Sequence, residues 1–122
     1  PQFDPAPEAQ SDYDQLITAL AAHPNFFIKL SQVIHPDRRG VIAPDLAAYR
    51  ARLDRLTAAF GEDRIMFGSN WPETVGKASI PQSVSLMRGY FADKPKRQAE
   101  KYFWRNSLAI YKWRKRAAGQ PG

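Results

Sequence analysis

Residues 64–72 read Arg64-Ile65-Met66-Phe67-Gly68-Ser69-Asn70-Trp71-Pro72. A short apolar run, Ile65 to Phe67, breaks abruptly into glycine, two small polar residues and then Trp-Pro. The run is too short for a helix and is bounded by turn residues, so it reads as a buried strand. Gly61, just before it, marks the stop of a helix. The break places Ser69 and Asn70 at the strand's carboxyl end, which in α/β architectures is where ligands bind. Alternate strand residues share a face, so Met66, Gly68 and Asn70 point one way and Ile65, Phe67 and Ser69 the other. Pro72 fixes its own φ and biases Trp71 to extended backbone, which ends the strand.

Working outward, residues 1–10 are rich in proline and polar groups and form a solvated lead-in. Ser11 or Asp12 is expected to cap a helix to about Ala22, with Tyr13, Leu16, Ile17 and Leu20 as its apolar stripe. Phe26 to Ser31 reads as a first strand. If Phe26, Ile28 and Leu30 face helices, Phe27, Lys29 and Ser31 face the other side. A lysine there is costly unless its charge is paired or wet. Residues 32–43 form a loop that carries His35, and Pro44 suits the first turn of the next helix. Leu46, Tyr49, Leu53, Leu56 and Phe60 then recur in steps of three and four, the clearest periodicity in the chain. Residues 71–80 form a second loop. Pro81 opens a helix to about Phe91, with Val84, Met87 and Phe91 on one side. A last helical stretch runs from about Arg97 to Trp113, with a break expected near Asn106.

The order is helix, strand, helix, strand, helix, helix. Strands separated by a helix argue for a parallel βαβ unit. Two strands alone leave open edges on both sides, a physical reason to expect missing neighbours.

The chain has 122 residues, a hydrophobic fraction of 43% and 12% aromatics, enough for a core. It has no cysteine, which excludes disulfides and thiolate metal sites and fits a cytoplasmic, reducing compartment. No run approaches a membrane span, and no membrane partner is expected. The net charge of +6 and pI of about 9.8 raise the question of nucleic acid. Much of the charge lies on Arg50, Arg52 and Arg55 and in the tail from Lys112 to Arg116. The tail reads more simply as a solvated helix end whose cations suit the macrodipole, so nucleic acid is not the expected partner.

The stretch DRIMFGSNWP at 63–72 resembles the last barrel strand of the amidohydrolase-related TIM-barrel hydrolases. That branch includes sugar lactonases, pyrone-dicarboxylate lactonases and aminocarboxymuconate-type decarboxylases, and its pattern is roughly GxDRxxxGSDWP. Upstream, HPNFFIKLSQV at 23–33 resembles the family's preceding strand, PNVYVKLSG. Downstream, RNSLAIY at 105–111 resembles its closing NAxRLY helix. The resemblance implies an α/β fold: the C-terminal portion of a (β/α)8 TIM barrel, with about two parallel strands, incomplete as a barrel. The implied divisions are a lead-in at 1–10, the barrel segment at 11–113 and a basic flexible tail at 114–122. A whole barrel needs about 250 residues, so the missing N-terminal barrel half, or an oligomer partner, is expected.

The family's carboxylate at the position of Asn70 is a catalytic base and, in metal-dependent members, a metal ligand. Asn70 is therefore the candidate catalytic position, although an amide cannot act as a base. Its plainer role is an Asx-type turn into Trp71-Pro72. Lys29, Ser31, Trp71 and His35 are candidate substrate contacts, each with a plainer reading as solvated or core side chains. The family's metal-dependent members use a His-x-His pair on the first strand, and this chain carries only His23 and His35. No metal ligand or cofactor is expected in this segment, and zinc or manganese belongs to a full-length parent. The implied reaction is water attack on a lactone or similar small acyl substrate, with the segment expected to be inactive alone. The alternatives are a small basic binding module for nucleic acid or protein, or a truncated inactive product.

Overall fold

The computed structural model describes residues 9–37, 39–43, 45–112 and 114–120. In chain order the elements are α1 (Gln10–Ala22), β1 (Ile28–Ser31), α2 (Ala47–Phe60), β2 (Ile65–Gly68), α3 (Ile80–Tyr90), α4 (Lys96–Glu100) and α5 (Asn106–Tyr111). A π turn, Lys101–Arg105, joins α4 to α5 without a break. Pro44 and Trp113 lie outside the described residues.

The strands pair in parallel, Ile28 opposite Ile65 and Ser31 opposite Gly68. The Ile28 amide donates to the Arg64 carbonyl at 2.9 Å. In parallel geometry this turns Ile28 and Leu30 toward β2 and leaves the backbone of Ile65 and Phe67 facing away from β1. The sheet has these two strands and an open edge on each side among the described residues.

Side-chain alternation follows the pleat. Ile28, Leu30, Ile65 and Phe67 pack with the helices in one core, while Lys29, Ser31 and Gly68 occupy the opposite face. The core is completed by Tyr49, Leu53, Leu56 and Phe60 of α2, Met87 and Tyr90 of α3, and Tyr102 of the π turn. Every stripe residue of α2 from Tyr49 onward is buried, as the period requires. Gly61 ends α2 at φ 72°, a conformation that side chains rarely adopt. The Tyr102 hydroxyl donates to the Leu30 carbonyl at 3.0 Å, and the Asn106 amide donates to the carbonyls of Glu62 and Ile65, each at 2.8 Å. One helical stretch thus holds both strands.

Several sequence expectations need correction. The first strand begins at Ile28, because the Phe26 amide still bonds the His23 carbonyl and keeps the chain in a turn. Phe26, expected to face helices, is exposed. α1 starts at Gln10, ahead of the expected Ser11 or Asp12 cap, and its N-cap Ala9 contributes no side-chain bond. Leu16 turns outward, and Ile17, Leu20 and Ala21 make the packing contacts. α3 starts one residue before Pro81, fixed by a reciprocal capping box between Ser79 and Gln82. No helix among the described residues is long and apolar enough to cross a membrane.

Candidate active site

Both strands end in the same way. The residue after β1, Gln32, has φ 52°, and Asn70, two residues after β2, has φ 54°. Asparagine tolerates this left-handed region because its side chain is short and polar. For glutamine the conformation is uncommon and costs about 1–2 kcal/mol. The two amides meet: Asn70 Nδ2 donates to Gln32 Oε1 at 2.9 Å. That bond uses one group of each amide and leaves the Asn70 carbonyl oxygen and the Gln32 amino group as the remaining acceptor and donor.

Around this pair the second loop is braced from within. The Trp71 amide donates to Ser69 Oγ at 3.3 Å. The buried Thr74 hydroxyl donates to the Ser69 carbonyl at 3.4 Å, and the Lys77 and Ala78 amides return to the Thr74 carbonyl. Trp71, preceding a cis Trp71–Pro72 bond, stays 65% exposed and forms one wall of an open groove with Val75, Ser79 and Pro81.

On the inner face, Gly68 lies against β1 so closely that a Cβ there would fall 3.0 Å from Ser31 Cβ and 3.5 Å from Lys29 Cβ. Ser31 is half-buried beside it. The Lys29 stem passes alongside, its Cδ 3.6 Å from where that Cβ would sit, and its ammonium lies 5.3 Å from the centre of the Tyr111 ring.

The 32–43 loop is shaped by Asp37, whose carboxylate accepts the Arg39 and Val41 amides, each at 2.9 Å. These backbone bonds, the Val41 amide foremost, hold its acid strength above that of an ordinary aspartate, so its pKa is lowered. His35 Nδ1 lies 2.8 Å from the Val33 carbonyl, which can only accept, so Nδ1 carries the proton. Nε2 then accepts from Arg52 Nη1 at 3.1 Å, while the ring tilts against Tyr49. His35 therefore ties its loop to α2 and lines a groove with Asp37, Ile42 and Arg52, separate from the groove at Trp71.

Of the sequence candidates, the structure brings Asn70, Trp71 and Ser31 to one end of the sheet, sets the Lys29 ammonium over the Tyr111 ring and ties His35, in its loop, to Arg52 of α2. Gln32 and Thr74 escaped the sequence reading. Gln32 had two usable signals: it is a polar residue one step past a strand end, beside the position of Ser69, and the family pattern PNVYVKLSG has glycine in its place. Among the described residues no cluster of three or more His, Asp or Glu side chains could hold a metal ion. The donors at the strand ends are neutral amides, and the His35 nitrogens are engaged, so this set does not fit a zinc site by itself.

A family profile described as amidohydrolase matches residues 2–113. The chain is 31% identical over 110 residues to the L-fucono-1,5-lactonase of Burkholderia multivorans, which spans 88% of this chain and 37% of that protein. Two crystal structures of an amidohydrolase from Burkholderia multivorans superimpose on it. The first, with bound HEPES, has a TM-score of 0.78 at 28% identity, over 93% of this chain and 40% of that one. The second, with bound zinc, has a TM-score of 0.79 at 27% identity, over 93% and 41%. The chain spans about two fifths of the length of these relatives, and the two parallel strands with their helices are a part of the (β/α)8 barrel that they form. The match over nearly its whole length makes this chain a member of the amidohydrolase family.

Proposed function

We propose that this chain is the C-terminal segment of a hydrolase that opens a sugar lactone or a similar small acyl ring by water attack. The observation that carries the reading is the amide pair of Asn70 and Gln32 at the carboxyl ends of the strands, in a chain 31% identical to a protein named for lactone hydrolysis. In the reaction the oxygen of water bonds to the acyl carbon and the ring C–O bond breaks. One water proton ends on the released ring hydroxyl, and the other leaves the new carboxylic acid.

Asn70 contacts the substrate or the attacking water from the strand end and Trp71 walls the groove, with Ser31 beside them. An amide can orient water but cannot take its proton, so position 70 as it stands supplies no general base. A divalent metal, zinc or manganese, would be held by residues outside this chain. The segment alone is inactive.

The test is expression of the complete open reading frame containing these residues, assayed against sugar 1,5-lactones. Hydrolysis is expected for the complete product and none for residues 1–122. Asn70→Asp should raise the rate about a hundredfold or more if the remaining site is intact, because a placed general base is worth about a hundred- to ten-thousandfold. It should also add an acidic limb to the pH–rate profile, since the carboxylate works only when ionised. No lactone hydrolysis by the complete product, or full activity in Asn70→Ala, refutes the assignment.

A further inference from the structure

We infer that Gln32 is a positioning residue that sets Asn70 to receive neutral, hydroxyl-bearing lactones rather than lactones that carry a carboxylate. The inference rests on the reading of the strand ends as the site. Two independent observations support it. Gln32 holds a left-handed backbone, φ 52°, where a glycine would be free of strain, and such outliers concentrate at ligand sites. Its side chain spans from one strand end to the other to accept from Asn70 Nδ2 at 2.9 Å. With that bond made, the groups left for a ligand are a carbonyl acceptor on Asn70 and an amino donor on Gln32. A donor beside an acceptor matches a hydroxyl, which both gives and takes a hydrogen bond. It offers no charge to a carboxylate, and the ammonium on β1, Lys29, is directed over the Tyr111 ring.

The experiment uses the complete gene product, with a neutral sugar 1,5-lactone and a carboxylate-bearing lactone as probes. Gln32→Gly removes the side chain while easing the backbone, so folding is preserved. The melting temperature should hold or rise while KM for the neutral lactone climbs about tenfold, the scale of one lost hydrogen bond. Gln32→Glu keeps the acceptor for Asn70 but loses the donor. In an Asn70→Asp background it sets two carboxylates side by side, and the acidic limb of the rate profile should move up by about one unit or more. Gln32→Gly in the same background should not produce that shift. A merely structural glutamine would leave KM for the neutral lactone unmoved, whereas the limb shift reports only that the two side chains are adjacent.

Unchanged kinetics in Gln32→Gly, with Asn70→Ala still impaired, would overturn the role of Gln32 and leave the site standing. So would a preference for the carboxylate-bearing lactone. Indifference of the kinetics to both residues would remove the site itself, and this inference with it.

Discussion

A methyl group at position 68 would meet Ser31 Cβ at 3.0 Å, closer than side chains normally approach. Gly68→Ala should therefore part the strands slightly and destabilise the fold by about 1–3 kcal/mol, the usual scale of overpacking. Urea titration checks this, and an unchanged midpoint would show that the sheet yields freely. At the same scale, the strand end and the proline gave Asn70 only a place at a turn, and it became a site candidate through the resemblance of its stretch to GxDRxxxGSDWP. Gln32 was passed over, although the family pattern PNVYVKLSG has glycine at its position, the residue that takes positive φ without strain. Its bond to Asn70 joins residues 38 apart, a pairing that only the strand register creates. His35 was visible as a loop histidine. Its attachment to Arg52 depends on how the loop folds back on α2.

Among the elements, α2 was the most legible, since its buried residues repeat at the helical period over its whole length. Leu53, 2% exposed at its centre, should cost about 2–5 kcal/mol when cut to alanine, from the apolar atoms removed and the cavity left behind together. α3 starts one residue before Pro81, because the reciprocal bonds of Ser79 and Gln82, and not the proline, hold its boundary. Ser79→Ala should lower stability by about 1 kcal/mol, and amide exchange in the first turn of α3 should quicken with it. The π turn at Lys101–Arg105 left no trace in composition, because its residues are ordinary helix formers. It arises from packing: Tyr102 must reach Leu30 and Asn106 must reach Ile65 within one helical stretch.

For the molecule as a whole, ionisation frames the range of stability. Burial pushes the Tyr90 hydroxyl up to about 12, and its bond to Asp54 adds to the shift. Burial raises Tyr102 as well. An unfolded tyrosine releases its proton near pH 10, so unfolding is favoured once the pH passes that value. The stability held below about pH 10 should be lost progressively toward pH 12, and alkaline melts followed by circular dichroism would show it. At the other end, the hydrogen bond from Lys101 holds Glu62 below its ordinary value. That contribution is present above pH 4.5 and fades as acid protonates the carboxylate. The two open sheet edges, foreseen from the order of elements, should make residues 1–122 associate as concentration rises. Added salt should promote this by screening the +6 charge. Sedimentation over a concentration series tests it, and a monomer throughout would mean that the edges are protected.

The clasp by Tyr102 and Asn106 also has a consequence in time. The Tyr102 bond closes a loop of 72 residues, and Asn106 reaches back 41 residues to Ile65. During synthesis both strands therefore leave the ribosome long before the residues that fasten them. The nascent chain should stay open to protease until the final helix has emerged, then become resistant in one step.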